Sequence, residues 1–125
     1  MTTKELLIAA RALIADPEHF TQRWFAARAD GSTESKEGYS LEINDPEATR
    51  FCSLGALYHV AGETSEEAYE AARALKKAAW PIIRHHGDEA TVRSNGKDPS
   101  VYVTDKYGHA AALAMYDAAI AALPA

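Results

Sequence analysis

A mainly α-helical fold, a compact bundle of about five helices around one core, is the class that this sequence predicts. Three observations carry it. Helix-start signatures recur along the chain, apolar residues follow them at helical spacing, and the later segments are rich in alanine, whose small side chain lets helices pack closely. At 125 residues the chain has the length of one domain, residues 1–125, with no linker and no internal repeat.

The first helix opens on a capping box, Thr2 with Glu5, and buries Leu6, Leu7, Ala10, Leu13 and Ile14 before stopping near Ala15. Asp16-Pro17-Glu18 then predicts a second helix, because aspartate accepts hydrogen bonds at an N-cap and proline fits the first helical position. Its apolar stripe is Phe20, Trp24 and Ala27. From Ala29 to Asn44 the pattern breaks into a long polar loop in which only Tyr39, Leu41 and Ile43 alternate, as a short strand would. A loop of that length in a small domain is either mobile or functional.

Asp45-Pro46-Glu47 is the clearest start signal in the chain and predicts a third helix over 45–61, ended by Gly62. Its apolar residues Phe51, Leu54, Leu57, Tyr58 and Ala61 cover so much of the circumference that it should lie centrally, with Gly55 admitting another backbone at close range. A fourth helix is predicted from the capping box of Thr64 and Glu67 to Trp80, broken or kinked at Pro81. His85 and His86 before Gly87 read as a C-terminal stop. Between Asp88 and Thr104 the chain reads as irregular, with a turn at Asn95-Gly96 and a β-prone run at Val101-Tyr102-Val103 that would pair with residues 39–43 in a minor two-stranded sheet. The last helix begins around Asp105 and buries Leu113, Tyr116, Ile120 and Leu123.

Composition narrows the function. The formal net charge of −5 and the scattered basic residues argue against nucleic-acid binding, which depends on cations neutralising phosphates. No apolar run predicts a membrane span, and the polar start, Met1-Thr2-Thr3-Lys4-Glu5, does not resemble a secretory signal. One cysteine, Cys52, rules out a disulfide within the chain and fits a reducing, cytoplasmic setting. No glycine-rich phosphate loop, nucleophile elbow, two-histidine zinc helix or calcium-loop spacing is present, so no cofactor and no metal is expected.

Cys52 is the one residue whose chemistry invites a catalytic reading. In a helix from 45 to 61 it falls in the second turn, where the dipole still favours a thiolate weakly. His59 lies two turns away on the same face, about 10 Å along the axis and too far for a hydrogen bond. His19 is a further candidate. His109 is the better base, because it opens the last helix on the Leu113 face, with Asp105 one turn earlier to orient it. A core cysteine, a capping aspartate and a first-turn histidine explain the same residues without chemistry. Among the large aromatics, Trp24 and Phe25 are adjacent and would point about 100° apart on a helix, so one of them should be exposed and mark a protein partner or a homodimer interface.

Four blocks, Trp24-Phe25-Ala26-Ala27-Arg28, Arg50-Phe51-Cys52-Ser53-Leu54-Gly55-Ala56-Leu57, Val103-Thr104-Asp105 and Tyr116-Asp117-Ala118-Ala119-Ile120, together resemble a family of small bacterial and phage proteins classed as a domain of unknown function. The likeness spans most of the chain. The family's central block resembles Trp/Phe-Cys-x-x-Gly-Ala-Leu, and its later block is commonly Trp-Asn-Asp, where this chain has Val103 and Thr104 before Asp105. The resemblance implies a similar helical fold with Cys52 and Asp105 at positions the family tends to keep, and it implies no activity. Two functions follow from the residues: a small intracellular accessory or interaction protein binding through Trp24 and Phe25 or the long loop, or a cysteine-centred hydrolase or transferase using Cys52, His109 and Asp105.

Overall fold

The structure, a computed structural model, describes residues 1–62 and 64–124. Helix α1 (Thr3–Ala15) is capped as its sequence predicts, with Thr2 accepting from the Glu5 amide at 3.1 Å and donating its own amide to the Glu5 carboxylate at 2.8 Å. Leu6, Leu7, Ala10 and Ile14 form its buried face. No helix among the described residues is long and apolar enough to cross a membrane.

The expected second helix does not form. Asp16 does cap, accepting from the Glu18 amide at 2.9 Å, but the helical turn covers only Pro17–His19. Beyond it the chain runs extended against Phe51: the Thr21 amide donates to the Phe51 carbonyl, and strand β1 (Ala26–Ala27) pairs antiparallel with strand β2 (Arg50–Phe51). Arg23 sits at φ 74°, which no right-handed helix contains. A cap signal is local, and here the pairing with β2 outweighs it.

The same contest shortens the third helix. Asp45 accepts from the Glu47 amide at 2.8 Å, closing a turn, yet the chain is extended again at β2 and helix α2 (Ser53–Ala61) begins eight residues later than expected. Cys52 is therefore its N-cap, not a second-turn residue. Its end at Gly62, left-handed with φ 74°, is where the sequence places it. The close approach expected at Gly55 is made by the Phe25 backbone: a methyl group added there would lie 1.9 Å from the Phe25 carbonyl oxygen.

The minor sheet is thus β1 with β2, not residues 39–43 with 101–103. Between the strands, the loop carries an isolated bridge of Glu34 with Ser40, and Arg28 holds Glu47 at 2.8 Å and the Glu34 carbonyl at 2.7 Å. Leu41 plugs into the core from this loop.

Helix α3 (Glu66–His85) is capped by Ser65, one residue after the expected Thr64, and runs through Pro81 rather than ending at Trp80. Its buried residues Ala79 and Ile83 flank the exposed Pro81, so burial on both sides sustains the helix across the missing N–H. Helix α4 (Glu89–Asn95) ends on left-handed Gly96, and helix α5 (Pro99–Tyr102) is capped by Asp98, whose carboxylate accepts from the Ser100 amide at 2.8 Å. The valines that read as a strand are therefore helical, because the Asp98-Pro99 start signal prevails over β-propensity.

One π-helical turn, Val103–Tyr107, follows directly, and helix α6 (His109–Ala121) begins after Gly108, at φ 91°, later than Asp105. Helix α6 buries Ala112, Met115, Tyr116 and Ala119, with Leu113, Ile120 and Leu123 packed at the edge of the core. Helices α1, α2, α3 and α6 pack on one another to make that core, and alanines at Ala10, Ala56, Ala68, Ala71, Ala79, Ala112 and Ala119 keep the axes close.

Candidate functional site

Two irregular segments meet at one end of α2. The first is the strap 20–27, bent ahead of β1 and lying over Gly55; the second is the π turn. Arg50 fixes the strap from below: its guanidinium donates to the carbonyls of Ala29 at 3.0 Å, Pro17 at 3.3 Å and Phe20 at 3.4 Å. From the other side, the Gln22 amide nitrogen donates to the Thr104 and Asp105 carbonyls at 2.9 and 3.2 Å, and the Asp105 carboxylate accepts from the Arg23 amide at 2.8 Å. That last bond holds Arg23 in its left-handed conformation, a cost tolerated only where surrounding contacts impose it.

The π turn is anchored to α2 by hydroxyls. Thr104 donates to the Ser100 carbonyl at 2.9 Å, so its oxygen is free to accept and Ser53 supplies the proton across the 2.7 Å contact between them. Tyr116, fully buried, donates to the Ser53 carbonyl at 2.6 Å, and burial pushes its phenol well above the ordinary range.

Between strap and turn lies a cleft of about 50 Å³. Trp24, Phe25, Leu54 and Val101 give it apolar walls, and Arg23, Cys52, Thr104 and Asp105 complete the lining. Four of the five residues singled out from the sequence, Cys52, Asp105, Trp24 and Phe25, thus meet here. They meet in another way than expected: Trp24 and Phe25 lie in a bend just before β1, not in a helix, and they are 46% and 52% exposed. Asp105 caps no helix. It lies within the π turn and serves the strap.

His109 does not line the cleft. Its Nε2 lies 2.6 Å from the Ile14 carbonyl, to which it must donate, and its ring rests on Phe20 with centroids 4.7 Å apart. His59 is likewise occupied, with Nδ1 2.7 Å from the Ile43 carbonyl and its ring stacked on Phe51. The Cys52 sulfur accepts from the Gly55 amide at 3.3 Å. Burial pushes the thiol up to about 11; the amides of Gly55 and Leu54 oppose that, and the nearby Asp105 charge adds to it. The helix N-terminus is therefore outweighed by desolvation. Among the described residues no group of three His, Cys, Asp or Glu side chains is placed to hold a metal ion.

Sequence reasoning missed Arg23, Gln22, Thr104 and the π turn. A non-glycine residue at positive φ leaves no compositional trace, and the Ser53–Thr104 pair, 51 positions apart, becomes visible only when α2 and the π turn touch. A second groove, about 410 Å³, runs between α3 and α6 and is lined by alanines with Pro81, Ile82, Leu123 and Lys77. It lacks the converging polar groups of the cleft.

No curated protein and no solved structure matches the chain. A family model described as a family of unknown function, DUF6197, matches residues 1–122, and the chain belongs to that family.

Proposed function

We propose that the chain is a small intracellular interaction protein whose docking site is the cleft, receiving one apolar side chain of a protein partner between Trp24 and Phe25. The observation that carries this reading is the exposed aromatic pair on a strap whose backbone is locked from both sides, by Arg50 below and Asp105 above. Large aromatics contribute most to binding when they are rigid before the partner arrives. A volume near 50 Å³ suits a single small side chain rather than a substrate. The lone buried cysteine fits a reducing compartment.

The alternative, a hydrolase or transferase built on Cys52, His109 and Asp105, draws support from Cys52 and Asp105 sharing the cleft. Against it stand the raised thiol and a histidine whose Nε2 proton is already given to Ile14. Peptides selected by display on the immobilised chain test the docking reading. Those that bind are expected to carry an apolar anchor and to weaken at least about tenfold against Trp24→Ala or Phe25→Ala, as for the central residue of an interface. Binders indifferent to both substitutions would refute it. Rapid alkylation of native Cys52 at neutral pH would favour the enzyme instead.

A further inference from the structure

Asp88 occupies the N-cap of α4, where an aspartate ordinarily accepts from the first-turn amides, yet its side chain makes no capping bond. Its carboxylate instead accepts from the Tyr107 hydroxyl at 2.5 Å. Tyr107 is the last residue of the π turn, with the His86 ring 3.8 Å and the Tyr102 ring 5.7 Å from its own, centroid to centroid. A local rule is broken here in favour of a contact across 19 positions, which is the pattern expected of a residue kept for something other than its own helix.

The π turn is one short unit. At one end Tyr107 is tied to Asp88; two residues earlier, Asp105 holds the Arg23 amide and thereby the strap that carries Trp24 and Phe25. Gly108, at φ 91°, separates this unit from α6. A π turn packs less regularly than an α-helical one and is often found beside functional sites.

We propose that Tyr107 and Asp88 are positioning residues for the cleft, acting through Asp105: their hydrogen bond sets the π turn, the π turn sets the Asp105 carboxylate, and Asp105 sets the strap. The proposal rests on the cleft being a docking site only for its consequence in binding. Its geometry is tested in the free protein.

Amide exchange in the full chain, read residue by residue, provides that test. Tyr107→Phe keeps the ring and removes only the hydroxyl; Asp88→Asn keeps an acceptor and removes its charge. Tyr107→Phe is expected to speed exchange of the Arg23 amide at least about tenfold, the factor for losing a hydrogen bond to a charged group, and Asp88→Asn, which weakens the bond, by a smaller factor, while Ala10 and Ile14 in α1 keep their rates. The double variant should be no faster than Tyr107→Phe alone, because both substitutions act on the same bond. An unchanged Arg23 amide, or equal acceleration at Ala10 and Ile14, overturns the proposal, the latter by reducing the bond to general stability. If Arg23 responds as expected while display-selected peptides bind the variants undiminished, the positioning role stands and the docking reading falls.

Discussion

The helical scaffold and the strap region obey different rules. In α1 and α3 local signals and tertiary packing agree: capping residues start the helices within one residue of where they are read, and the apolar stripe faces the core. In the strap, β2 and the π turn they disagree. Asp16-Pro17-Glu18 and Asp45-Pro46-Glu47 both announce helices, and both yield a single turn before the chain goes extended. The contrast teaches that the cleft lies where long-range contacts override the local code, which is also where a binding surface is expected to be built.

Gly55→Ala breaks this comparison most directly. In an ordinary helix the change would stabilise by about 1 kcal/mol. Here the added methyl would meet the Phe25 carbonyl at 1.9 Å, so the account expects a loss of about 3 kcal/mol by urea unfolding, as for overpacking against backbone. A gain in stability would mean that the strap moves aside freely.

Arg50→Ala comes next. It strips three carbonyls, Phe20 in the strap and Pro17 and Ala29 on either side of it, of their charged donor while leaving the scaffold untouched, and the expected loss is about 2 kcal/mol. Helical circular dichroism should persist below the unfolding transition. A loss under about 0.5 kcal/mol, within the range of a neutral surface change, would show that the strap holds without it.

The buried thiol sharpens the comparison through pH. Its pKa is raised from 9.0 to about 11 in the folded chain, so the folded state binds the proton more tightly. The associated stability is complete below pH 9 and is lost as pH rises towards 11. Since tyrosine phenols, whose ordinary value is about 10, titrate in the same range once the chain unfolds, the measurement is the difference between the wild-type chain and Cys52→Ala: the wild type should lose stability more steeply across that interval. Parallel curves would mean that Cys52 titrates as in water. Alkylation of native Cys52 at pH 7 should be about a hundredfold slower than that of a free thiol, the ratio of thiolate populations for a two-unit shift.

The smallest expected effect is on stability at the cleft mouth. Because Trp24 and Phe25 are half-exposed, Trp24→Ala or Phe25→Ala should change unfolding free energy far less than truncating a fully buried side chain such as Leu7, which costs about 2–5 kcal/mol. A loss as large as that would place both aromatics in the core and remove the reason to read them as a docking surface.

How much of this was legible in the sequence follows from range. The Thr2–Glu5 box, the Gly62 stop and the close approach at Gly55 depend on residues within a turn or on the absence of a side chain, and they read correctly. The choice of Cys52, Asp105, Trp24 and Phe25 rested on residue chemistry, and the structure gathers all four around one cleft. Their roles were not legible, because Cys52 becomes a cap only when β2 displaces the start of α2, and Asp105 becomes a strap anchor only when α5 replaces the expected strand. His109 shows the limit of face arguments: it lies on α6 as supposed, but the neighbour that claims its Nε2 is Ile14 of α1.

The central claim, that the strap and the π turn form a docking cleft, is tested by titrating the isotope-labelled chain with the tightest display-selected peptide and following amide shifts. The account predicts perturbations centred on Trp24, Phe25, Leu54 and Asp105. Perturbations confined to Ala78, Ile82, Ala118 and Leu123, in the groove between α3 and α6, would contradict it.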